Sequence, residues 1–292
     1  MTDTNLDTEI RNWQEKLLSR SVRRTHKCNR LMKSLGNLSS FQCLEISEGD
    51  GSISMKLRSL GGSWKTAVPT RTASDSLKHY LSENVGFILE GKLPYEDNSF
   101  DRLVIVDALK FIEADYEFIK ECHRVLRNDG WVVISETKRA PASLVNLLKS
   151  ALGVSPMIRE AKRKGYSATE LFDKLKDGFD VPETIVYSNG LLETASTIGE
   201  VIQKSIMHSP CWLVPEKPTA EEIKNCRSLF SLGGIFYPLA KLLSLFEFIP
   251  GHKLLIRSRR RHWRPRLQPK LIDGRSIAEA AINTKIGTAA PF

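Results

Sequence analysis

The chain has 292 residues, of which 41% are hydrophobic and 26% charged, with a net charge of +9. Such a composition excludes a disordered or low-complexity protein and supplies enough apolar side chain for one full α/β core with an insertion. The positive balance suits a polyanionic surface, nucleic acid or anionic lipid, and equally a solvated basic face.

Five cysteines (Cys28, Cys43, Cys122, Cys211, Cys226) are odd in number and widely spaced, without a Cys-x-x-Cys pair. Neither a disulfide framework nor a metal site follows, and a reducing cytoplasm fits best. The polar start of the chain predicts no signal peptide.

In chain order, residues 9–35 read as one basic amphipathic helix. Trp13, Leu17, Leu18, Val22 and Leu31 alternate with arginines and lysines, and Gly36 is the expected C-cap. Five short apolar runs follow at 42–46, 64–68, 85–89, 102–106 and 131–135, separated by helical stretches at 52–60, 74–82 and 116–126. This alternation predicts an α/β fold with a doubly wound, mostly parallel sheet whose ligands lie at the carboxyl ends of the strands. Further on, 141–152 and 169–175 read as helices, 181–187 as a sixth strand and 253–258 as a last one.

Between these two strands, the segment from Leu229 to Ile249 is strongly apolar, with Lys241, Ser244 and Glu247 along one stripe of a helix. It is too interrupted to span a bilayer. A substrate lid packed on the domain is the favoured reading, and a helix lying on a membrane surface is the alternative. A dense basic run, Arg257, Arg259, Arg260, Arg261, Arg264, Arg266 and Lys270, suits anionic lipid headgroups or a solvated face. No nucleic-acid-binding signature accompanies it.

The chemistry concentrates after the first strand, where Ser47-Glu48-Gly49-Asp50-Gly51 joins an apolar run to a helix. A tight glycine turn there leaves bare backbone against which a nucleotide can sit. The strand-end rule gathers Glu45, Gly49, Gly51, Glu90 with Gly91 after it, and Asp107 around one crevice. Glu45 suits a cap for the next helix, but inside a strand end it needs a partner, which a ligand amine or a backbone donor would be. Glu90 suits adenosine recognition or a solvated turn equally. Asp107 suits a reaction cavity or an N-cap for the residues that follow. His123 lies within a helix and reads as structural.

Two more stretches accompany the turn: Leu93-Pro94-Tyr95-Glu96-Asp97-Asn98-Ser99-Phe100-Asp101, and Arg124-Val125-Leu126-Arg127-Asn128-Asp129-Gly130. Together with Glu45, Gly49 and Gly51 they resemble the class I S-adenosylmethionine-dependent methyltransferases, in particular the small-molecule group called type 11, over residues 40–140. The resemblance implies a seven-stranded Rossmann-like sheet with an antiparallel last strand at 253–258. It also implies S-adenosyl-L-methionine as cofactor and a small-molecule acceptor, apolar or lipid-like. Ser47 stands where the family has its first glycine. Thr70 stands near the family's ribose-binding acid, where this chain has no carboxylate. Ser47 and Thr70 join the expected cofactor residues, and their departures also motivate a catalytically inactive binding or scaffold protein. The expected organisation is a basic N-terminal helix or lid (1–40), the core (41–189), a helical insertion (190–250), the last strand (251–258) and a basic tail (259–292). The protein is expected to be cytoplasmic, with peripheral contact with an anionic membrane as a further option.

Overall fold

The computed structural model describes residues 3–49, 51–81, 85–139, 161–196, 220–246 and 251–264. Seven strands form one sheet: β1 (Gln42–Ser47), β2 (Ser63–Val68), β3 (Val85–Phe87), β4 (Phe100–Val106), β5 (Leu126–Thr137), β6 (Phe179–Asn189) and β7 (Gly251–Arg260). Their spatial order is β3-β2-β1-β4-β5-β7-β6. The pairs β1–β2, β1–β4, β2–β3 and β4–β5 are parallel, and β7 runs antiparallel between β5 and β6. The apolar runs are nearly continuous because both faces are covered. Leu44, Ile46, Leu103 and Ile105 enter one core, and Cys43, Val104, Val106 and Val133 enter the other.

The N-terminal segment forms two helices where one was expected, α1 (Asp3–Arg20) and α2 (Val22–Leu35). The break is at Ser21, whose extended backbone and hydroxyl, accepting from the Arg24 N–H at 3.4 Å, start a new helix. Gly36 caps α2 at φ 68°. The helices α3 (Ser52–Arg58) and α4 (Arg71–Tyr80) pack on the same face as α2, while α5 (Asp115–Val125) and α6 (Ala168–Leu175) cover the other. α4 starts three residues earlier than expected because the Thr70 hydroxyl caps it, accepting from the Ala73 N–H at 3.2 Å. The helix expected at 141–152 lies outside the described residues.

Arg124 explains why two of the motifs occur together. Its guanidinium donates to Glu121, to Asp97 and to the carbonyls of Leu93 and Tyr95, which ties the 93–101 stretch to α5. Asp101 in turn accepts from the Gln42 N–H at 2.8 Å and from Arg127 at 3.0 Å. Both motifs therefore lock the amino-terminal edge of the sheet, opposite the strand ends where a ligand would lie.

The boundary expected at residue 259 is corrected. β7 continues through Arg260, and Arg259, Arg260 and Arg261 bond to neighbouring parts of the domain. Arg259 pairs with Asp129 at 2.9 Å, and Arg260 and Arg261 donate to the carbonyls of Leu126 and Lys176. Trp263 lies edge-on to His123 and Tyr116, over Gly178, where a Cβ would run into the indole. Arg266 and Lys270 lie outside the described residues.

Within the insertion, α7 (Ala220–Ser244) packs on α1. Phe230 meets Trp13 edge-on at 5.8 Å and lies under the Arg20 guanidinium at 4.7 Å. Its other side exposes Ile235 (70%), Leu239 (50%) and Leu242 (56%).

Candidate active site at the carboxyl edge of the sheet

The order of the sheet reverses between β1 and β4, and Ser47 there lies beside Val106, with Ile46 beside Ala67 of β2. Reversal of strand order opens a crevice above the strand ends. Among the described residues, a Cβ at Gly49 would meet only the Ser47 hydroxyl, at 3.5 Å. Gly51, at φ 82°, turns the chain into α3 in a conformation that strains any other residue.

The structure gives Glu45 a partner other than a ligand amine or backbone donor. Its carboxylate is fully buried and accepts from the Ser54 hydroxyl at 2.6 Å and from Arg58 at 2.8 Å, and Arg58 also reaches Thr66. This ion pair stitches β1, α3 and β2 together. Thr70, expected as a lone neutral group, donates to the Glu48 carboxylate at 2.7 Å. A carboxylate therefore does stand over the end of β2, supplied by the loop after β1. The sequence expectation placed this acid near Thr70 or, failing that, at Glu90 after β3. The signal was the adjacency of β1 and β2, which brings residues 48 and 70 together.

Glu90 and Gly91 are the central pair of a turn with positive φ at both positions (50° and 76°), closed by the Lys92 N–H on the Leu89 carbonyl at 2.8 Å. This mirror-image turn leaves the Glu90 side chain exposed at its tip. His123 is remote from the crevice, its Nε2 donating to the Arg261 carbonyl and its ring lying edge-on to Phe179.

Asp107 follows β4 at φ 52° and is not a helix cap, since the short 3-10 turn Leu109–Phe111 begins at Ala108 without a side-chain cap. Its carboxylate gathers three ammonium groups: Lys27 of α2 in a direct ion pair, Lys253 of β7 at 3.2 Å and Lys110 at 3.9 Å, none of these side chains more than 15% exposed. Burial opposes the charge of Asp107, but Lys253 and Lys27 hold it well below the usual carboxylate range. Glu136, which accepts from the Leu109 N–H at 2.7 Å, is pushed upward by burial. Burial lowers Lys27 to about 8 against the pull of Asp107. For Lys253 burial also works downward, yet Asp107 and Glu193 carry it above its ordinary value. With Arg24 donating to the Ser52 hydroxyl at 2.7 Å and Arg23 paired with Glu193 at 3.3 Å, the first half of α2 is fastened across the edge.

The Lys27 value gives a stability signature. The unfolded chain keeps the proton up to pH 10.5, whereas the folded chain releases it near pH 8. Between these values the unfolded state binds more protons, so this group adds stability as pH rises, by up to about 3 kcal/mol. Below pH 8 the cost of charging Lys27 is fully present. In urea titrations the wild type should gain on Lys27→Met between pH 8 and 10, and a constant difference would contradict the assignment.

Residues 44–134 match the family model described as a methyltransferase domain. The match covers less than half of the chain, from β1 to β5, and agrees with the fold described above. No curated protein matches the chain in sequence. Among solved structures, the geranyl diphosphate C-methyltransferase of Streptomyces coelicolor A3(2) is 11% identical, with a TM-score of 0.52, covering 82% of this chain and 76% of that one. A candidate sarcosine dimethylglycine methyltransferase of Galdieria sulphuraria is 16% identical, with a TM-score of 0.50, covering 79% and 82%. At these identities the likeness is one of fold. The methyltransferase domain implies S-adenosylmethionine as cofactor. The residues present fit it: the backbone at Gly49 is open to close approach, and the Glu48 carboxylate lies over the end of β2. Among the described residues, no helix is long and apolar enough to cross a membrane.

Proposed function

We propose that this methyltransferase domain is active and transfers a methyl group to a small acceptor bound beside Asp107. The observation that carries this reading is the Glu48–Thr70 pair next to the open Gly49 backbone. S-adenosylmethionine supplies, when bound, an electrophilic methyl group on a sulfonium. In-line transfer asks chiefly for positioning and a dry site. Glu48 accepts from the ribose hydroxyls, Thr70 orients that carboxylate, and Gly49 and Gly51 let the backbone approach. Ser47 borders the same crevice, and α2, fastened through Arg24 and Lys27, excludes water. The non-catalytic reading rested on Ser47 and on a missing acid near Thr70. Glu48 answers the second point, and the Ser47 side chain is buried at the end of β1.

Two substitutions compare the carboxylates. Glu48→Ala should weaken S-adenosylmethionine binding by about 1–3 kcal/mol, the range for losing a charged hydrogen-bond partner. Glu90→Ala, at an exposed turn tip, should change it by less than about 0.5 kcal/mol. Calorimetric titration measures both, and the reverse ranking would transfer the ribose-binding role to Glu90.

The exposed side of α7 favours a finer reading, in which the acceptor is apolar or lipid-like and the protein meets an anionic membrane. Ile235, Leu239 and Leu242 present an apolar stripe, with Lys241 exposed among them. Binding to anionic vesicles should then fall with salt and weaken in Leu242→Asp, because exposed charges are screened within about 8–10 Å at physiological ionic strength. Equal co-sedimentation with neutral and anionic vesicles, or none with either, rejects it.

A further inference from the structure

Gln14 of α1 is 1% exposed, yet neither its amide oxygen nor its amide nitrogen has a hydrogen-bond partner among the described residues. Buried amides are almost always paired, because leaving both ends unsatisfied forfeits their hydration. The location of Gln14 indicates what completes it. Only Ser21 separates α1 from α2, and the first turns of α2 are held at the carboxyl edge by Arg24 on Ser52 and Lys27 on Asp107. α1 therefore enters at that edge, where it packs on α3 and α4, both of which begin there. Glu9, Trp13 and Arg20 form its side toward α7. At 3.6 residues per turn, Gln14 and the buried Leu18 fall on the opposite side, toward α3 and α4.

We infer that the Gln14 amide reads the adenine base of the cofactor, through one donated and one accepted hydrogen bond. This rests on the proposed cofactor site and adds the residue that selects the base. A primary amide offers a donor and an acceptor side by side, which matches the amino group and neighbouring ring nitrogen of adenine. Glu48, an acceptor only, suits the ribose hydroxyls and cannot supply this pair. α4 lies beyond α3 in the direction of β2 and β3, where a base attached to that ribose would reach.

The test is calorimetric titration of the full chain with S-adenosylhomocysteine and with its inosine analogue, in which the adenine amino group is replaced by a carbonyl. The wild type should prefer the adenine compound by at least about fivefold. Gln14→Leu should bind S-adenosylhomocysteine at least fivefold more weakly and lose the preference, while its ligand-free form melts at a higher temperature because the unsatisfied amide is gone. Equal binding of the two compounds by the wild type overturns the inference without any variant. Unchanged affinity and preference in folded Gln14→Leu, or in Gln14→Met should the first not fold, also overturns it. A wild type that binds neither compound overturns the cofactor reading beneath it, which is a different outcome.

Discussion

Asp107→Ala should destabilise the protein by about 3–5 kcal/mol, the cost of removing one partner from a buried ion pair. Asp107 is the carboxylate on which Lys27, Lys253 and Lys110 converge, and all three ammonium groups are almost withdrawn from water. Deleting it leaves them facing one another with Glu136, itself pushed toward its neutral form. Alanine also meets the left-handed backbone at this position, φ 52°, which disfavours residues with an ordinary Cβ. Asp107→Asn separates the two contributions, because asparagine tolerates that conformation and removes only the charge. Urea unfolding should show most of the loss already in the Asn variant. A change below about 1 kcal/mol in both would mean that the lysines are solvated and the cluster is not a buried one.

Gly49→Val should abolish S-adenosylmethionine binding, by at least about 100-fold or 2.7 kcal/mol, while leaving the fold intact. The position separates binding from folding because, among the described residues, a Cβ at Gly49 meets only the Ser47 hydroxyl, at ordinary contact distance. The added branches would occupy the space that the ligand's approach to the backbone requires. Gly51→Val would not make this separation, since φ 82° strains any β-branched residue at the start of α3 whether or not a ligand is present. Far-ultraviolet circular dichroism and a melting curve should leave Gly49→Val near the wild type, while its titration is flat. Undiminished affinity in the folded variant would remove the turn from the site.

The sheet was legible because each parallel strand is buried on both faces and reads as an uninterrupted apolar run, such as Leu103-Val104-Ile105-Val106. The break between α1 and α2 was not, because a single Ser21 within a basic, helix-forming stretch carries no glycine or proline to mark it. The glycine turn was recognised in place, but its chemistry depends on residues far apart in sequence. Glu48 finds Thr70, Glu45 finds Arg58, and Lys27 finds Asp107 only after the strands have paired. Periodicity identifies elements and leaves these partners open. The motifs at 93–101 and 124–130 show the converse. They strengthened the resemblance carried by the glycine turn, and Arg124 shows that they secure the edge of the sheet away from the crevice.

The central claim is that the edge framed by Glu48, Gly49 and Thr70 holds S-adenosylmethionine. Its most direct test is calorimetric titration of the full chain with S-adenosylmethionine and S-adenosylhomocysteine, with Gly49→Val as the control. Saturable one-to-one binding of both compounds by the wild type, and none by the control, is the predicted result. No binding by the wild type at millimolar ligand, or equal binding by the folded control, would contradict it.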